Sequence, residues 1–246
     1  MLTAREYHFM LQEQSLRQER KEIPEKPFLV TIVGGEHSGK STLIETFQDR
    51  GLSTYKEPEN PMMQLFVENP QKYAFENQRH KMTQLMSLEI LDIRHEGATS
   101  PRFRESGVLA TEVYNRYLHD KGLLTDDQYG TLHWMYEHHM VTYPTPELVG
   151  YLYAPDAEVR RRAIKRDGVV AHDPTELQPY WERLLVELED RGIPVYRINT
   201  QDHPVGVTQE MILTQAEKMK QSTDRTRRQP AVLRFVSFGT AISCRA

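Results

Sequence analysis

The sequence predicts an α/β fold in which helices cover both faces of a five-stranded parallel sheet. Short apolar runs rich in β-branched residues alternate with helical patterns, which is typical of parallel strands joined by crossover helices. The chain has 246 residues, enough for one α/β domain with a buried core. Its 38% hydrophobic and 27% charged residues are ordinary for a globular protein. The net charge of −4 argues against a general electrostatic attraction to nucleic acid or anionic membranes.

Five segments are predicted as strands. The first, residues 28–33, is a short apolar and β-branched run of the kind found in fully buried strands. The second, residues 52–56, has a weaker pattern. The other three are predicted at residues 107–111, 148–153 and 193–198.

Helices are predicted between the strands, at residues 41–47, 70–97, 125–140, 157–166 and 176–191. The first has apolar residues at helical spacing, and Gly97 is placed to end the second. Thr125 and Gln128 form a capping box that opens the third.

The chain is predicted to divide into three segments. Residues 1–27 form an N-terminal helical arm, because a capping box opens a helix there that ends before Pro24 and Pro27, whose rings disfavour helix in the residues ahead of them. Residues 28–220 form the main domain, and residues 221–246 form a basic linker and tail. The arm is expected to dock on the domain or on a second copy of the chain, which makes a homodimer one expected assembly.

The cysteine content and the hydropathy pattern predict a cytoplasmic protein. The one cysteine, Cys244, excludes an internal disulfide framework and fits a reducing compartment. No apolar run reaches the length of about 18 residues that a membrane span requires. The first 20 residues lack the apolar core of a signal peptide, and their glutamates argue against a transit peptide. No membrane partner is expected.

Residues 34–41 match the pattern G-x-x-x-x-G-K-[ST] at every fixed position. They follow a predicted buried strand and enter a predicted helix, which is the context that this phosphate-binding loop requires. Backbone N–H groups of such a loop point at phosphate oxygens, the lysine reaches the β- and γ-phosphates, and the serine ligates Mg²⁺. The residues expected to hold ATP here are Gly34, Gly35, Glu36, His37, Ser38, Gly39, Lys40, Ser41 and Thr42.

The loop predicts a three-layer P-loop NTPase fold but does not name the reaction. A GTPase would need a guanine-reading Asn-Lys-x-Asp, which the sequence lacks, and the chain has no recognisable second module of a motor. Small kinases remain. They need an acceptor pocket, an acid near the acceptor hydroxyl and a basic lid.

Acidic residues follow two of the predicted strands. Ligands of α/β proteins bind at the carboxyl ends of parallel strands, where Glu57 follows the second strand and Glu112 the third. A carboxylate there can accept the proton of an attacking hydroxyl or hold Mg²⁺. Glu57 is the predicted base and Glu112, with Ser41, the predicted metal ligand; the alternative for each acid is a solvated strand end.

An arginine-rich helix follows the fourth predicted strand. Arg162 and Arg166 are four residues apart and share a helix face, so both could stabilise charge that develops during phosphoryl transfer. This helix is the predicted Arg-rich lid. The alternative is a solvated charged face paired with Glu158.

Taken together, these motifs and the segment PQKYAFENQ resemble the deoxyribonucleoside kinases, which are part of the thymidylate-kinase-like P-loop group. The resemblance covers residues 28–200. It implies that Glu57 is the base toward the sugar 5′-hydroxyl, that Gln78 pairs with the nucleobase, and that Arg162 and Arg166 close over the phosphates. It also implies that the adenine of ATP lies near Asn199 and Gln201.

The acceptor half departs from the family pattern at two positions. The family has Arg-Ser after its strand-three acid, where this sequence has Val113 and Tyr114, with Arg116 a candidate substitute one helical turn away. The family also has a tyrosine for the sugar 3′-hydroxyl, and Val67 corresponds to it here.

Three functions remain open from the sequence. The first is an ATP- and Mg²⁺-dependent kinase that transfers the γ-phosphoryl group to a hydroxyl of a small nucleoside-like molecule. The second keeps this chemistry, with a hydroxymethylated pyrimidine within DNA as acceptor, because an acceptor inside a polymer has no free 3′-hydroxyl to bind. The third is a nucleotide-binding regulator without catalysis.

Overall fold

The computed structural model describes residues 28–94, 101–143, 145–167 and 175–226. The predicted N-terminal arm, the predicted helix stop at Gly97 and residues 227–246 of the predicted tail lie outside these ranges. None of the helices in the described ranges has the length and apolar character that crossing a bilayer requires.

The sheet is a five-stranded parallel sheet, as predicted. Its strands lie in the order β2-β3-β1-β4-β5, so the first strand occupies the centre. Ile32 of β1 pairs with Glu105 of β3 on one side and with Gly150 of β4 on the other. The strand bounds are Leu29–Val33 for β1, Thr54–Tyr55 for β2, Arg102–Glu105 for β3, Leu148–Tyr153 for β4 and Val195–Asn199 for β5.

Eight helices surround the sheet within the described residues. Their bounds are Lys40–Asp49 for α1, Met63–Glu68 for α2, Pro70–Arg94 for α3, Gly107–Asp120 for α4, Asp126–Thr142 for α5, Asp156–Asp167 for α6, Gln178–Asp190 for α7 and Val205–Thr226 for α8. The capping box that opens α5 is confirmed, because Thr125 Oγ1 accepts from Gln128 N and Thr125 N donates to Gln128 Oε1.

The third strand was predicted in the wrong place. Residues 107–111 begin helix α4, and the strand is Arg102–Glu105, all four residues of which are buried. Apolar runs are the signal for buried strands, but β3 carries two arginines and a glutamate. The apolar residues that followed were mistaken for the strand. Arg104 is tolerated because its Nη1 lies 2.9 Å from Glu89 Oε2 of α3.

Helices α2 and α8 were not predicted, and β2 is shorter than expected. Helix α8 packs Ile212 and Ala216 against the sheet, beside Ile32 and Leu152. Both α8 residues are fully buried, and Met211, Leu213 and Met219 of the same helix pack partly buried against this cluster, so the apolar spacing of the helix was present in the sequence and was overlooked.

The core forms on both faces of the sheet, as alternation along the strands requires. Val30 and Ile32 of β1 face α1 and α8, whereas Val33 faces α4 and α7. Phe47 of α1 stacks on Phe103 of β3, with ring centroids 4.0 Å apart. The carboxyl ends of the strands lie along one edge, and the phosphate loop leaves β1 at that edge.

Candidate active site

The phosphate loop between β1 and α1 has the backbone that glycine permits. Gly39 has φ 99° and Gly34 has φ 148°. A Cβ at Gly34 would lie 2.1 Å from the carbonyl oxygen of Leu152, so no other residue fits there. The Ser38 hydroxyl oxygen is buried and has no hydrogen-bond partner among the described residues. The loop thus fits closely against β4 and keeps polar groups available for a ligand.

Lys40 begins α1 and its Nζ donates to Gly34 O at 3.0 Å and to Gly35 O at 2.7 Å. Burial lowers the pKa of Lys40, while the carboxylates of Glu105, Glu57 and Glu36 act in the opposite direction. Three acids therefore lie around the loop lysine. The charge of this ammonium group is stabilised only in part by its surroundings, which favours its pairing with phosphate.

Glu105 is the acid that ends the third strand. Ser41 Oγ donates to Glu105 Oε1 at 2.6 Å, which places a carboxylate beside the serine of the phosphate loop. Mg²⁺ binds proteins through one or two carboxylates and takes further oxygens from water and substrate phosphates. Ser41 and Glu105 fit that donor set. The described residues contain no group of three or more His, Cys, Asp or Glu side chains that could hold a metal by itself.

Glu112 does not lie at the end of a strand. It is fully buried in the middle of α4, where Oε1 accepts from Arg116 Nε at 2.8 Å and lies 2.9 Å from His133 Nδ1. Arg116 in turn donates from Nη1 and Nη2 to the carboxylate of Glu187, both at 2.7 Å. Burial disfavours the charged guanidinium, but the hydrogen bonds to Glu187 and Glu112 outweigh it and raise the pKa of Arg116.

The prediction of Glu112 as metal ligand followed from the misplaced strand. Val113 is a fully buried core residue, so it does not replace a family arginine, and neither it nor Arg116 lies on the cavity wall. The sequence at the true strand end is Arg104-Glu105-Ser106. It contains an acid, an arginine and a serine, with the arginine before the acid, and this signal could have located Glu105.

A single cavity of about 1220 Å³ joins the phosphate loop to Glu57 and Gln78. Its far end is lined by apolar and aromatic residues of α2, α4 and α7, including Phe66, Tyr117 and Trp181. A cavity of this size accommodates two small molecules end to end. Of the predicted site residues, the wall includes Gly34, Gly35, Glu36, His37, Gly39, Lys40, Ser41, Thr42, Glu57, Val67, Gln78, Arg162 and Arg166.

Glu57 and Gln78 both line the acceptor half of the cavity. Glu57 follows β2 and forms an ion pair with Lys81 of α3, a residue that the sequence analysis did not single out. Gln78 lies one turn before Lys81 and is 6% exposed. Val67 of α2 also lines the cavity but is 68% exposed, so it lies at the mouth.

Tyr114 of α4 also contributes to the site, although it was not predicted as a site residue. Its hydroxyl donates to Glu36 Oε1 of the phosphate loop at 2.9 Å. Burial raises the pKa of Tyr114, and the nearby carboxylates of Glu36 and Glu57 raise it further. The tyrosine therefore remains a neutral donor that connects α4 to the loop.

The arginine helix α6 lies over the phosphate loop. Arg162 donates to His37 O at 3.2 Å, to Thr200 Oγ1 at 2.9 Å and to Glu158 Oε1 at 2.7 Å. Hydrogen bonds from Arg161 and Arg162 lower the pKa of Glu158 to about 2. Arg162 therefore combines the two alternatives: it lines the cavity, and it also pairs with Glu158. Arg166 also reaches the cavity wall.

The loop after β5 contributes different residues than predicted. Asn199 Nδ2 donates to Asp202 Oδ2, and Asn199 Oδ1 accepts from Gln201 N, so this asparagine shapes the turn. Neither Asn199 nor Gln201 lies on the cavity wall. The wall there consists of Thr200, His203, Pro204, Val205 and Thr208.

Comparison with known proteins identifies the same fold. The family model described as deoxynucleoside kinase matches residues 30–196. No curated protein matches the sequence.

Three similar solved structures are of deoxyadenosine kinase from M. mycoides. The structure with bound dATP has a TM-score of 0.63 and 18% identity, and the match covers 77% of this chain and 99% of that one. The structure with the products dCMP and a flexible dCDP has a TM-score of 0.64 and 18% identity, with the same coverage. The structure with dCTP has a TM-score of 0.62 and 19% identity, again with 77% and 99% coverage.

Proposed function

This chain belongs to the deoxynucleoside kinase family, a family of phosphotransferases that act on nucleosides, and we propose that it transfers the γ-phosphoryl group of ATP to a hydroxyl of a nucleoside bound beside Glu57. One observation carries the proposal. A single cavity connects the phosphate loop with a carboxylate and with a buried amide, which are the three groups that such a transfer requires.

The donor end holds the triphosphate. Loop N–H groups and the N-terminus of α1 bind its oxygens, and Lys40 exchanges its hydrogen bonds with Gly34 O and Gly35 O for phosphate oxygens. Ser41 and Glu105 are the proposed ligands of Mg²⁺, in place of Glu112. Bound there, Mg²⁺ would supply neutralisation of the charge on the phosphates. Thr200, His203 and Val205 form the wall proposed for the adenine.

The acceptor end presents the hydroxyl to the γ-phosphorus. Glu57 takes the hydroxyl proton while the acceptor oxygen forms the new P–O bond and the bond to the β-phosphate oxygen breaks, which releases ADP. Arg162 and Arg166 on the cavity wall stabilise the charge on the transferred group. Glu57 therefore acts on the acceptor hydroxyl, and Arg162 and Arg166 act on the transferred group.

Gln78 is the proposed reader of the nucleobase. It is buried on the cavity wall, and an amide offers both a donor and an acceptor to a base edge. The aromatic residues Phe66 and Trp181 provide flat surfaces nearby. A nucleobase needs both features, which supports a nucleoside over a simple alcohol.

The test is phosphorylation of a panel of deoxynucleosides and ribonucleosides by the purified chain with labelled ATP and Mg²⁺. Labelled nucleoside monophosphate is the expected product, and Lys40→Met abolishes it. The Glu45→Gln variant changes an exposed acid of α1 outside the cavity and serves as the matched control. Absence of product from every nucleoside would overturn the proposal.

A second acceptor, hydroxymethylated pyrimidine within DNA, is favoured by Val67. This residue is exposed at the cavity mouth and offers no hydrogen bond to a sugar hydroxyl. Hydroxymethyl-containing DNA belongs in the same assay, and label in the polymer but not in free nucleosides would select it. The regulator hypothesis drew in part on Val113 as a sign of lost catalysis, and that support falls because Val113 is a core residue.

A further inference from the structure

The loop that carries Glu57 is attached to helix α3 at three points. Lys81 forms an ion pair with Glu57. Asn60 Nδ2 donates to Asn77 Oδ1 at 2.8 Å, and Gln84 Nε2 donates to Glu59 O at 3.3 Å. Asn77, Lys81 and Gln84 are related as i, i+4 and i+7, so they form one stripe along α3. We call these three residues the α3 stripe.

Two residues of the α3 stripe, and their partner Glu57, are less exposed than ordinary polar surface residues. Asn77 is 1% exposed, and the side chains of Lys81 and Glu57 are 19% and 24% exposed. Glu57 lies on the segment after β2, a strand of two residues, so the sheet alone gives this segment little support. The orientation of the carboxylate therefore depends on contacts with α3.

Lys81 lies on the cavity wall together with Glu57. Its Nζ contacts Glu57 Oε1, which leaves the other carboxylate oxygen to approach an acceptor hydroxyl. We propose that Lys81 is a positioning residue that holds the Glu57 carboxylate in the orientation in which it takes the acceptor proton. This inference rests on the proposed kinase function.

The stripe also connects proton transfer with base recognition. Gln78 lies three residues before Lys81 on α3, and residues at this spacing are neighbours on a helix. Helix α3 therefore carries both the Gln78 amide proposed to bind the nucleobase and the Lys81 ammonium group proposed to orient the Glu57 carboxylate. The carboxylate that takes the proton must lie within hydrogen-bond reach of the acceptor hydroxyl. Displacing it by about 1 Å costs roughly 100-fold in rate.

Other cations near Glu57 do not replace this contact. Lys40 interacts with Glu57 electrostatically but donates to the carbonyls of the phosphate loop. Lys56, the residue next to Glu57, pairs with Glu45 Oε1 at 2.8 Å and is exposed. Among the ion pairs of the described residues, Lys81 is thus the direct partner of Glu57.

The experiment compares wild type, Lys81→Met, Lys81→Arg and Lys56→Met in the nucleoside kinase assay. Lys81→Met is expected to lower kcat by roughly 10–100-fold, because misplacing a catalytic group by about 1 Å costs up to about 100-fold, with the KM for nucleoside and the affinity for ATP unchanged. Lys81→Arg keeps the cation and restores most of kcat. Lys56→Met removes an exposed lysine from the same segment and behaves as wild type.

Three results would overturn the inference while the proposed function stands. They are wild-type kcat in Lys81→Met, a rise in nucleoside KM without a fall in kcat, and a fall that Lys81→Arg does not restore and that accompanies weaker ATP binding. The last would show a packing role. Absence of product from the wild type itself would instead overturn the proposed function, and the inference with it.

Discussion

Ser41 Oγ donates a 2.6 Å hydrogen bond to Glu105 Oε1, which connects the phosphate loop with the neighbouring strand β3. The two residues are 64 positions apart in the chain, and the pairing of β1 with β3 brings them together. A hydroxyl and a carboxylate at this separation can share one Mg²⁺ ion. The relationship makes Glu105 the central acid of the proposed donor site.

We expect Glu105→Gln to lower kcat by about 100-fold or more, because an amide is a poorer Mg²⁺ ligand and leaves charge near the γ-phosphate less compensated. The Mg²⁺ concentration required for half-maximal rate should rise as well. Steady-state kinetics over a Mg²⁺ titration measures both quantities. An unchanged Mg²⁺ requirement would assign the metal to other residues.

Glu112→Gln should behave differently, because Glu112 is a structural acid in the core of α4. The substitution leaves the Arg116–Glu187 pair intact but removes the negative charge that contacts Arg116 Nε and His133 Nδ1. We expect a loss of about 1–3 kcal/mol in the free energy of unfolding. The Mg²⁺ requirement of the enzyme should stay that of wild type. Denaturant unfolding and the same Mg²⁺ titration separate the two acids.

Sequence reasoning located the phosphate loop and the parallel sheet with helices on both faces because those signals are local. The phosphate loop is a contiguous pattern, β1 and β4 are runs of mostly apolar or β-branched residues, and β5 contains Val195, Tyr196 and Ile198. Strand β3 escaped detection because its charges are buried in pairs that depend on distant residues, such as Glu89 for Arg104. Lys81 escaped for the same reason, since nothing near it in sequence indicates its contact with Glu57.

Arg166→Gln is expected to lower kcat by about 100-fold, the usual cost of removing one donor from a developing charge. Arg160→Gln changes a residue of the same helix that does not line the cavity, and it should keep the wild-type rate. Arg162→Gln should lower both the rate and the melting temperature, because Arg162 also binds His37 O and Thr200. Thermal unfolding alongside kinetics distinguishes these three results.

The turn that carries Glu105 into α4 requires a glycine. Gly107 has φ 60°, and a Cβ there would lie 2.5 Å from Glu89 Oε1. Ser106 before it also has a positive φ of 56°. We expect Gly107→Ala to cost about 1–3 kcal/mol in the free energy of unfolding, because it strains the backbone and displaces Glu89. Gly122 has φ 68°, and a Cβ added there meets no atom within 4 Å. Gly122→Ala therefore causes backbone strain without a clash and should cost less free energy of unfolding than Gly107→Ala.

Glu89 should make the protein sensitive to acid. Burial opposes its ionisation, but hydrogen bonds from His139 and Val108 N and the charge of Arg104 together lower the pKa of Glu89 below its usual 4.5. A carboxyl with a lower pKa in the folded state stabilises the protein above the unfolded pKa and loses that contribution as pH falls through the folded value. The difference in unfolding free energy between wild type and Glu89→Gln should therefore shrink below a pH of about 4.5. Denaturant unfolding of both proteins from pH 7 to pH 3 measures it, and a difference that stays constant over this range would contradict an ionised Glu89 in the fold.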